Sequence, residues 1–532
     1  MKASDGGTAL PWLRALPVLA ALLLLLFSVR TDSLWMDEIQ THTVIQGTFG
    51  DLVRELSSRG DAASGMPLYF LGEYAWCRLF GYGEFALRSM NYLAALLVLL
   101  GALRLVAAAR LPRWSMLFFA ANPMFLYYMN EARPYAFLYA CGIWGTWFLL
   151  RSADAPPGAP ARRAVAGFFA CWFAACALHM MAVFAGVAYG VFLLLQFRRR
   201  PPVFMDHALV WLGAAPCFAA LGLYFARFAF GAPELGFPTS PLSGIVQIAY
   251  YFAGLGGLGW ARNSFREMSI GFSPRAAAEL AAAVLAYAAF FACCLRARVW
   301  RNRRTIAALA CTAAALLVFL AANIALKTRF WERHVIYLVP GLLFALALAC
   351  GDVLETLPGR FAKAVVFVVL AVNVLSGFNI AVLDEFRKED YRGAVRLALE
   401  DAPDHVFFQG SRLAFRYYGL RGTWSFDIDR EETAPIEGNV NISTASWDEL
   451  RALLARTSGR TRLLLFDRAE YDPAGFHPVL SGLGRHVTGF SVVDAADIPA
   501  AALSPESNPM WAGRTHVPTG KWPVFPPAEA AR

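Results

Sequence analysis

The chain has 532 residues, 58% of them hydrophobic and 16% charged, with a net charge of +9 and a mean hydropathy of +0.46. Soluble globular domains carry about 25% charged residues, and several apolar runs here approach the roughly 20 residues that cross a bilayer, so a soluble protein is excluded. Nucleic-acid binding is excluded too: the basic clusters Arg110/Arg113, Arg162/Arg163, Arg198-Arg199-Arg200 and Arg296 to Arg304 each lie between apolar runs, which is the cytoplasmic-loop bias of a membrane protein.

The first apolar run, Leu10 to Val29, lacks a convincing small-residue cleavage site and reads as an uncleaved span. With Lys2 and Arg14 inside, Asp37 and Glu38 emerge outside. Met66 to Phe80 is short and carries Glu73 and Arg78, which suits a helix lying in the interface. Residues 30–87 then form one large external loop. Further spans are expected at 89–108, 114–129, 135–150, 164–179, 181–197, 207–229, 276–295, 305–326, 335–350 and 361–383. Ile245 to Leu258 reads as a second interfacial helix. The total is about eleven spans, with the basic loops inside and the C-terminal region outside.

The texture changes at Asp384. Tyr391 to Leu399 and Trp447 to Leu454 read as amphipathic helices, His405 to Gln409 and Leu463 to Asp467 as buried strands. The expected organisation is a mainly α, polytopic transmembrane domain over 1–383 and a small extracytoplasmic α/β domain over 384–532. Its tail after Ala500 should be extended. All nine cysteines precede Asp384 without metal-ligand spacing and read as small apolar residues in helices.

This topology gathers the conspicuous polar residues at one interface: Asp37, Glu38, Arg88, Glu131, Arg133, His179, Lys327, Arg329, Glu332, Arg333 and His334. Ionisable groups at bilayer depth cost about 2.5–3.5 kcal/mol or more each, so clustering them at the edge avoids that cost. It also brings both signs of charge together. Carboxylates supply a base, and arginines supply paired donors for phosphate oxygens. Blander roles are open: Asp37 and Glu38 also suit the first turn of an interfacial helix, and Glu131 with Arg133 suits a structural ion pair.

The motifs resemble those of the type C, multi-span glycosyltransferases that use polyprenyl-phosphate sugars, a family that includes protein O-mannosyltransferases and lipid A aminoarabinose transferases. An acidic pair opens the first external loop, here Trp35-Met36-Asp37-Glu38. Gly65-Met66-Pro67-Leu68-Tyr69 matches part of a His-Pro-Pro-Leu-Tyr-like stretch, without its His and first Pro. Phe80-Gly81 with Glu84 and Arg88 fits a Phe-Gly-x-x-Glu-x-x-x-Arg pattern, and Glu131-Ala132-Arg133-Pro134-Tyr135 fits a Glu-Ala-Arg-x-Tyr pattern. Arg333-His334 with Pro340, and Tyr391-Arg392-Gly393, echo two later patterns. The resemblance covers residues 10–420.

The resemblance implies an inverting transfer of a sugar from a polyprenyl-phosphate donor to an acceptor hydroxyl at the outer face of a bacterial cell membrane, the acceptor being a lipid, glycan or protein. Asp37 would be the general base, with Glu38 and Glu131 orienting it or the acceptor. Arg88, Arg133, Lys327, Arg329 and Arg333 would neutralise the leaving phosphate. Tyr69, Tyr135, His179 and His334 would line the substrate site. Family members differ in the use of a divalent ion; where one is used, Asp37 and Glu131 would hold it. Two other classes compete: a polysaccharide polymerase or ligase, and a lipid-linked glycan transporter or flippase. A transporter usually shows repeated halves and charges at mid-membrane, and neither is evident in the sequence.

Overall fold

A computed structural model describes residues 15–28, 32–58, 62–197, 201–229, 241–259, 273–326, 330–357, 359–383, 386, 388–420, 423–425, 439–443, 445–467 and 476–503. The chain divides into two compact units, Met1–Asp32 with Asp37–Arg387, and Ser33–Met36 with Lys388–Arg532.

The first unit is helical throughout. Its helices are α1 (Leu16–Ser28), α2 (Met36–Ile45), α3 (Phe49–Leu56), α4 (Pro67–Phe80), α5 (Glu84–Ser89), α6 (Asn91–Ala109), α7 (Leu117–Ala120), α8 (Pro123–Tyr128) and α9 (Tyr135–Asp154). They continue as α10 (Ala159–Leu178), α11 (Ala185–Phe197), α12 (Pro201–Tyr224), α13 (Pro241–Phe252), α14 (Pro274–Ala297), α15 (Arg303–Ala325), α16 (Val339–Thr356) and α17 (Arg360–Val382).

Among the described residues, seven helical stretches are long and apolar enough to cross a membrane: Glu84–Ala109, Ala159–Leu178, Phe204–Ala229, Pro274–Ala297, Arg303–Ala325, Glu332–Thr356 and Arg360–Val382. The chain is a polytopic membrane protein. Helix α6 shows how such a span is built. Ala94, Ala95, Val98, Ala102 and Leu105 turn inward, while Leu93, Leu96, Leu97 and Leu100 are exposed. A leucine face open to solvent would be an aggregation surface in water; in a bilayer it meets lipid.

The expected spans at 10–29 and 181–197 are represented by the shorter apolar helices Leu16–Leu26 and Met180–Gln196. The span expected at 114–129 is not one helix. It consists of a 3-10 turn at Arg113–Met116, then α7, then α8. Pro123 is the cause, because a proline inside a helix lacks the N–H and clashes with the preceding turn. The chain restarts at Asn122, whose side chain accepts from Met124 N at 3.1 Å and Phe125 N at 3.3 Å. Broken backbone of this kind is tolerated in a membrane protein only inside the protein. Phe118 to Phe125 are accordingly buried, and Asn373 of α17 donates to the Phe118 carbonyl at 3.3 Å.

Helix α4 covers the segment expected as an interfacial helix, Met66 to Phe80. Tyr69, Phe70, Glu73 and Cys77 are buried, while Leu68, Leu71, Leu79 and Phe80 are exposed on its other face. The expected helix at Ile245 to Leu258 begins earlier and ends earlier, as α13.

The second unit contains α18 (Tyr391–Leu399), α19 (Arg412–Tyr417), α20 (Trp447–Arg456) and α21 (Phe476–Leu480), with strands β1 (His405–Phe408), β2 (Thr423–Ser425), β3 (Asn439–Asn441), β4 (Thr461–Phe466), β5 (Arg485–Val487) and β6 (Phe490–Asp494). The sheet order is β2-β3-β1-β4-β6-β5, parallel across β2, β3, β1 and β4 and antiparallel from β4 to β6 and β6 to β5. Strand β4 is buried along its length, as an apolar central strand covered on both faces should be. One face packs Trp447, Leu450 and Phe476 against Phe407, Leu463 and Leu465. On the other, Tyr391 packs edge-on to Phe490, and Phe466 stacks on Phe490. The tail expected to be extended after Ala500 lies outside the described residues from 504 onward.

Candidate active site

Asp37 and Glu38 are both in the first turn of α2, where the helix dipole favours negative charge. Their environments diverge. Glu38 has no exposed surface. Its two oxygens accept from Arg88 Nε at 2.8 Å and Arg88 Nη2 at 2.7 Å, a two-pronged pair. Oε1 also accepts from the Ala132 backbone N–H at 2.9 Å. Thr41, one turn on, donates to the Ala132 carbonyl at 3.2 Å. Helix α2 is thereby held to the turn carrying Glu131-Ala132-Arg133.

Arg88 uses its remaining fork on the Asp32 carbonyl, at 2.5 Å from Nη1, and is 1% exposed. Arg88, expected at the donor phosphate, is here enclosed and paired with Glu38. Glu38 is likewise enclosed, with both oxygens engaged.

Asp37 is 20% exposed, the open member of the pair. Its Oδ2 accepts from Arg333 Nη1 at 3.0 Å, and its Oδ1 lies 3.7 Å from Arg133 Nη2. Arg133 also reaches Gln40 Oε1 at 3.3 Å from the same nitrogen. Among the described residues, the buried Nε and Nη1 of Arg133 have no hydrogen-bond partner. Buried guanidinium donors without acceptors are costly, and an oxyanion would satisfy them.

The Arg333 guanidinium sits over the Tyr135 ring at 5.7 Å. Tyr135 in turn lies beside His179 at 6.0 Å, and His179 beside His334 at 5.4 Å. The structure thus brings Tyr135, His179 and His334 to the arginine. His179 follows the last residue of α10, and its Nδ1 accepts from Met181 N at 3.2 Å. Burial, then Arg333 and Arg133, push its pKa down to about 3. It is a neutral imidazole whose Nε2 carries the proton, a donor rather than a cation. The nearby Glu332 is fully buried and accepts from Tyr128 Oη at 2.5 Å, which fixes the 3-10 segment Glu332–Leu338 that carries Arg333.

Glu131 is fully buried in the same turn as Arg133. Its carbonyl accepts from Asn91 Nδ2 at 2.6 Å and from Arg133 N at 2.7 Å. Tyr69 is buried on α4, with its hydroxyl pushed well above the ordinary range by burial and then by Glu73. Lys327 and Arg329 lie outside the described residues. Sequence reading missed Glu73 as part of this neighbourhood. It was visible only as a charge that made α4 a poor span, yet its side chain is fully buried and burial raises its pKa to about 8. Gln40 and Tyr128 were missed as well, having no motif to mark them.

The residues do not fit a divalent ion between Asp37 and Glu131. No group of three or more His, Cys, Asp or Glu among the described residues could hold a metal. Both Asp37 oxygens face guanidinium groups, whose charge opposes a second cation.

No protein-family model matches the chain, and no curated protein sequence matches it. Solved structures similar to it include two of ArnT. The crystal structure of ArnT from Cupriavidus metallidurans in the apo state has 16% sequence identity and a TM-score of 0.48, covering 93% of this chain and 99% of that one. The crystal structure of ArnT from the same organism bound to undecaprenyl phosphate has 15% identity and a TM-score of 0.45, covering 93% of this chain and 100% of that one.

Proposed function

We propose that the protein is an inverting glycosyltransferase that moves a sugar from a polyprenyl-phosphate donor to an acceptor hydroxyl at the outer face of the membrane. The observation that carries this reading is the partly open Asp37 carboxylate held between Arg333 and Arg133 in a helical membrane unit. The pairing suits a resting state. A donor's phosphate competes for the same two guanidiniums, and Arg133 has two further buried donors to give it. As the arginines turn to phosphate, the Asp37 oxygens become open to the acceptor hydroxyl.

The step then balances in a simple way. Asp37 takes the acceptor's proton, the acceptor oxygen bonds to the anomeric carbon from the face opposite the leaving group, and the carbon–oxygen bond to phosphate breaks with its electron pair going to phosphate. Arg133 and Arg333 stabilise the charge that develops there. Neutral His179 and Tyr135 border the sugar. Glu38, Arg88 and Glu131 keep α2 and the Arg133 turn in register, and Lys327 and Arg329 belong to the same phosphate-binding set by sequence.

The test is Asp37→Asn in cells, followed by mass analysis of envelope lipids and glycans. The variant should be membrane-inserted and folded, and the sugar-bearing product seen with the wild type should be missing. Product at near wild-type level would end the catalytic assignment.

A further inference from the structure

A second feature of the membrane unit is unrelated to Asp37. A cavity of about 610 Å³ runs between α9, α10, α11, α15 and α16, within the size range of ligand sites. Along α9 it extends from Cys141 to Asp154, about 20 Å at 1.5 Å per residue. That exceeds half of the ~30 Å hydrocarbon core of a bilayer. Its middle is walled by Leu149, Phe168, Trp172, Phe192 and Phe344. Charge enters only at the end remote from Tyr135, where Asp154, Arg303 and Arg304 line it.

We propose that this cavity holds an acyl chain of an anionic glycerophospholipid whose phosphate is bound by Arg303 and Arg304. The shape suits a single chain: it is long, its middle is mostly apolar, and its charged groups lie at one end only. The charged end favours an anion for two further reasons. Arg303 and Arg304 occupy the first turn of α15, the positive end of the helix dipole, where cations are disfavoured and phosphate is favoured. The one acidic residue lining the cavity, Asp154, is paired with Arg304 at 2.9 and 3.2 Å, and Asp352 nearby is bonded to Asn302. Arg303 is exposed beside Arg304 and makes no hydrogen bond or ion pair with the described residues.

A polyprenyl chain entering from the Asp37 end fits less well. Its phosphate would stay with Arg133 and Arg333, and its hydrocarbon terminus would meet Arg303. The occupant is therefore a lipid whose head lies at the end opposite the transfer site.

The full-length protein, purified in mild detergent and stripped of lipid, is offered phosphatidylglycerol, phosphatidylcholine or undecaprenyl phosphate, and bound lipid is measured by native mass spectrometry. Phosphatidylglycerol should be retained at least tenfold better than phosphatidylcholine. The double variant Arg303→Gln/Arg304→Gln should bring the two to parity. Gly145→Leu fills the cavity instead; a Cβ there meets only the Phe168 ring, at 3.7 Å, so the lipid-free variant should melt where the wild type does while phosphatidylglycerol retention falls tenfold. Retention indifferent to headgroup, undecaprenyl phosphate competing phosphatidylglycerol out of the cavity, or undiminished retention by Gly145→Leu would each overturn the assignment.

Discussion

Arg88 and Arg333 carry the same charge beside adjacent carboxylates, and their burial separates their roles. Arg88 is enclosed with Glu38, so removing one partner strands a charge in a low-dielectric site. Arg88→Met should destabilise the protein by about 3–5 kcal/mol, read by chemical denaturation in detergent, and Glu38→Gln on top of it should recover part of the loss. Arg88→Lys keeps the charge but not the two-pronged geometry, and should fall between. Arg333 is 13% exposed and holds the open carboxylate. Arg333→Lys should change stability little and cut transfer at least tenfold, because the planar fork that can pass from carboxylate to phosphate is gone.

Glu73 makes a pH prediction at the same scale. Its pKa rises from the ordinary 4.5 to about 8 on folding, chiefly through burial. The folded state therefore binds more protons than the unfolded state between those values, and stability falls as pH rises across that window. The stabilising contribution is fully present below pH 4.5 and is lost by about pH 8. Gln is a stand-in for the protonated acid, so Glu73→Gln should melt close to the wild type at pH 5 and clearly above it at pH 8.5. A wild type and variant that track each other across the range would contradict a buried, protonated Glu73.

At the scale of elements, the arginine's position depends on how closely α9 approaches the 3-10 segment Glu332–Leu338. Gly142 permits that approach: a Cβ there would lie 2.3 Å from the Tyr337 carbonyl oxygen, a backbone atom that cannot move aside alone. Gly142→Ala should push the segment outward, at an overpacking cost of about 1–3 kcal/mol. It should also lower transfer out of proportion to that cost, since Arg333 rides on the same segment. A variant with lowered melting temperature and wild-type transfer would separate the two elements.

The elements themselves were largely legible, because apolar runs and amphipathic periods are local. Helix α18, strand β1 and helix α20 begin at the expected residues Tyr391, His405 and Trp447. At 114–129 the apolar length points to one helix, but Asn122-Pro123 caps and restarts it. The site was legible in part for the same reason. Asp37-Glu38 and Glu131-Ala132-Arg133 are compact strings, but what divides Asp37 from Glu38 is a set of partners 50 to 296 residues away. Nothing local marks Arg88 as enclosed or Glu73 as buried.

At the scale of the molecule, the charges of the first unit sort to the two ends of α9. Arg133 and Arg333 are near its first residue, Tyr135. At its last residue, Asp154 meets Arg304, and in the same basic loops Arg162 meets Asp206 at 2.9 Å and Asn302 meets Asp352. The positive-inside rule assigns the arginine-rich end to the cytosol; at the other end Arg133 and Arg333 face Asp37, and Arg88 pairs with Glu38. This sorting gives a topology that can be measured. A reporter fused after Arg200 should read cytosolic, and one fused after Leu383 should read extracytoplasmic. Both on one side would remove the parity. A cytosolic signal after Leu383 with an external one after Arg200 would invert the molecule and put Asp37 on the side away from the proposed acceptor.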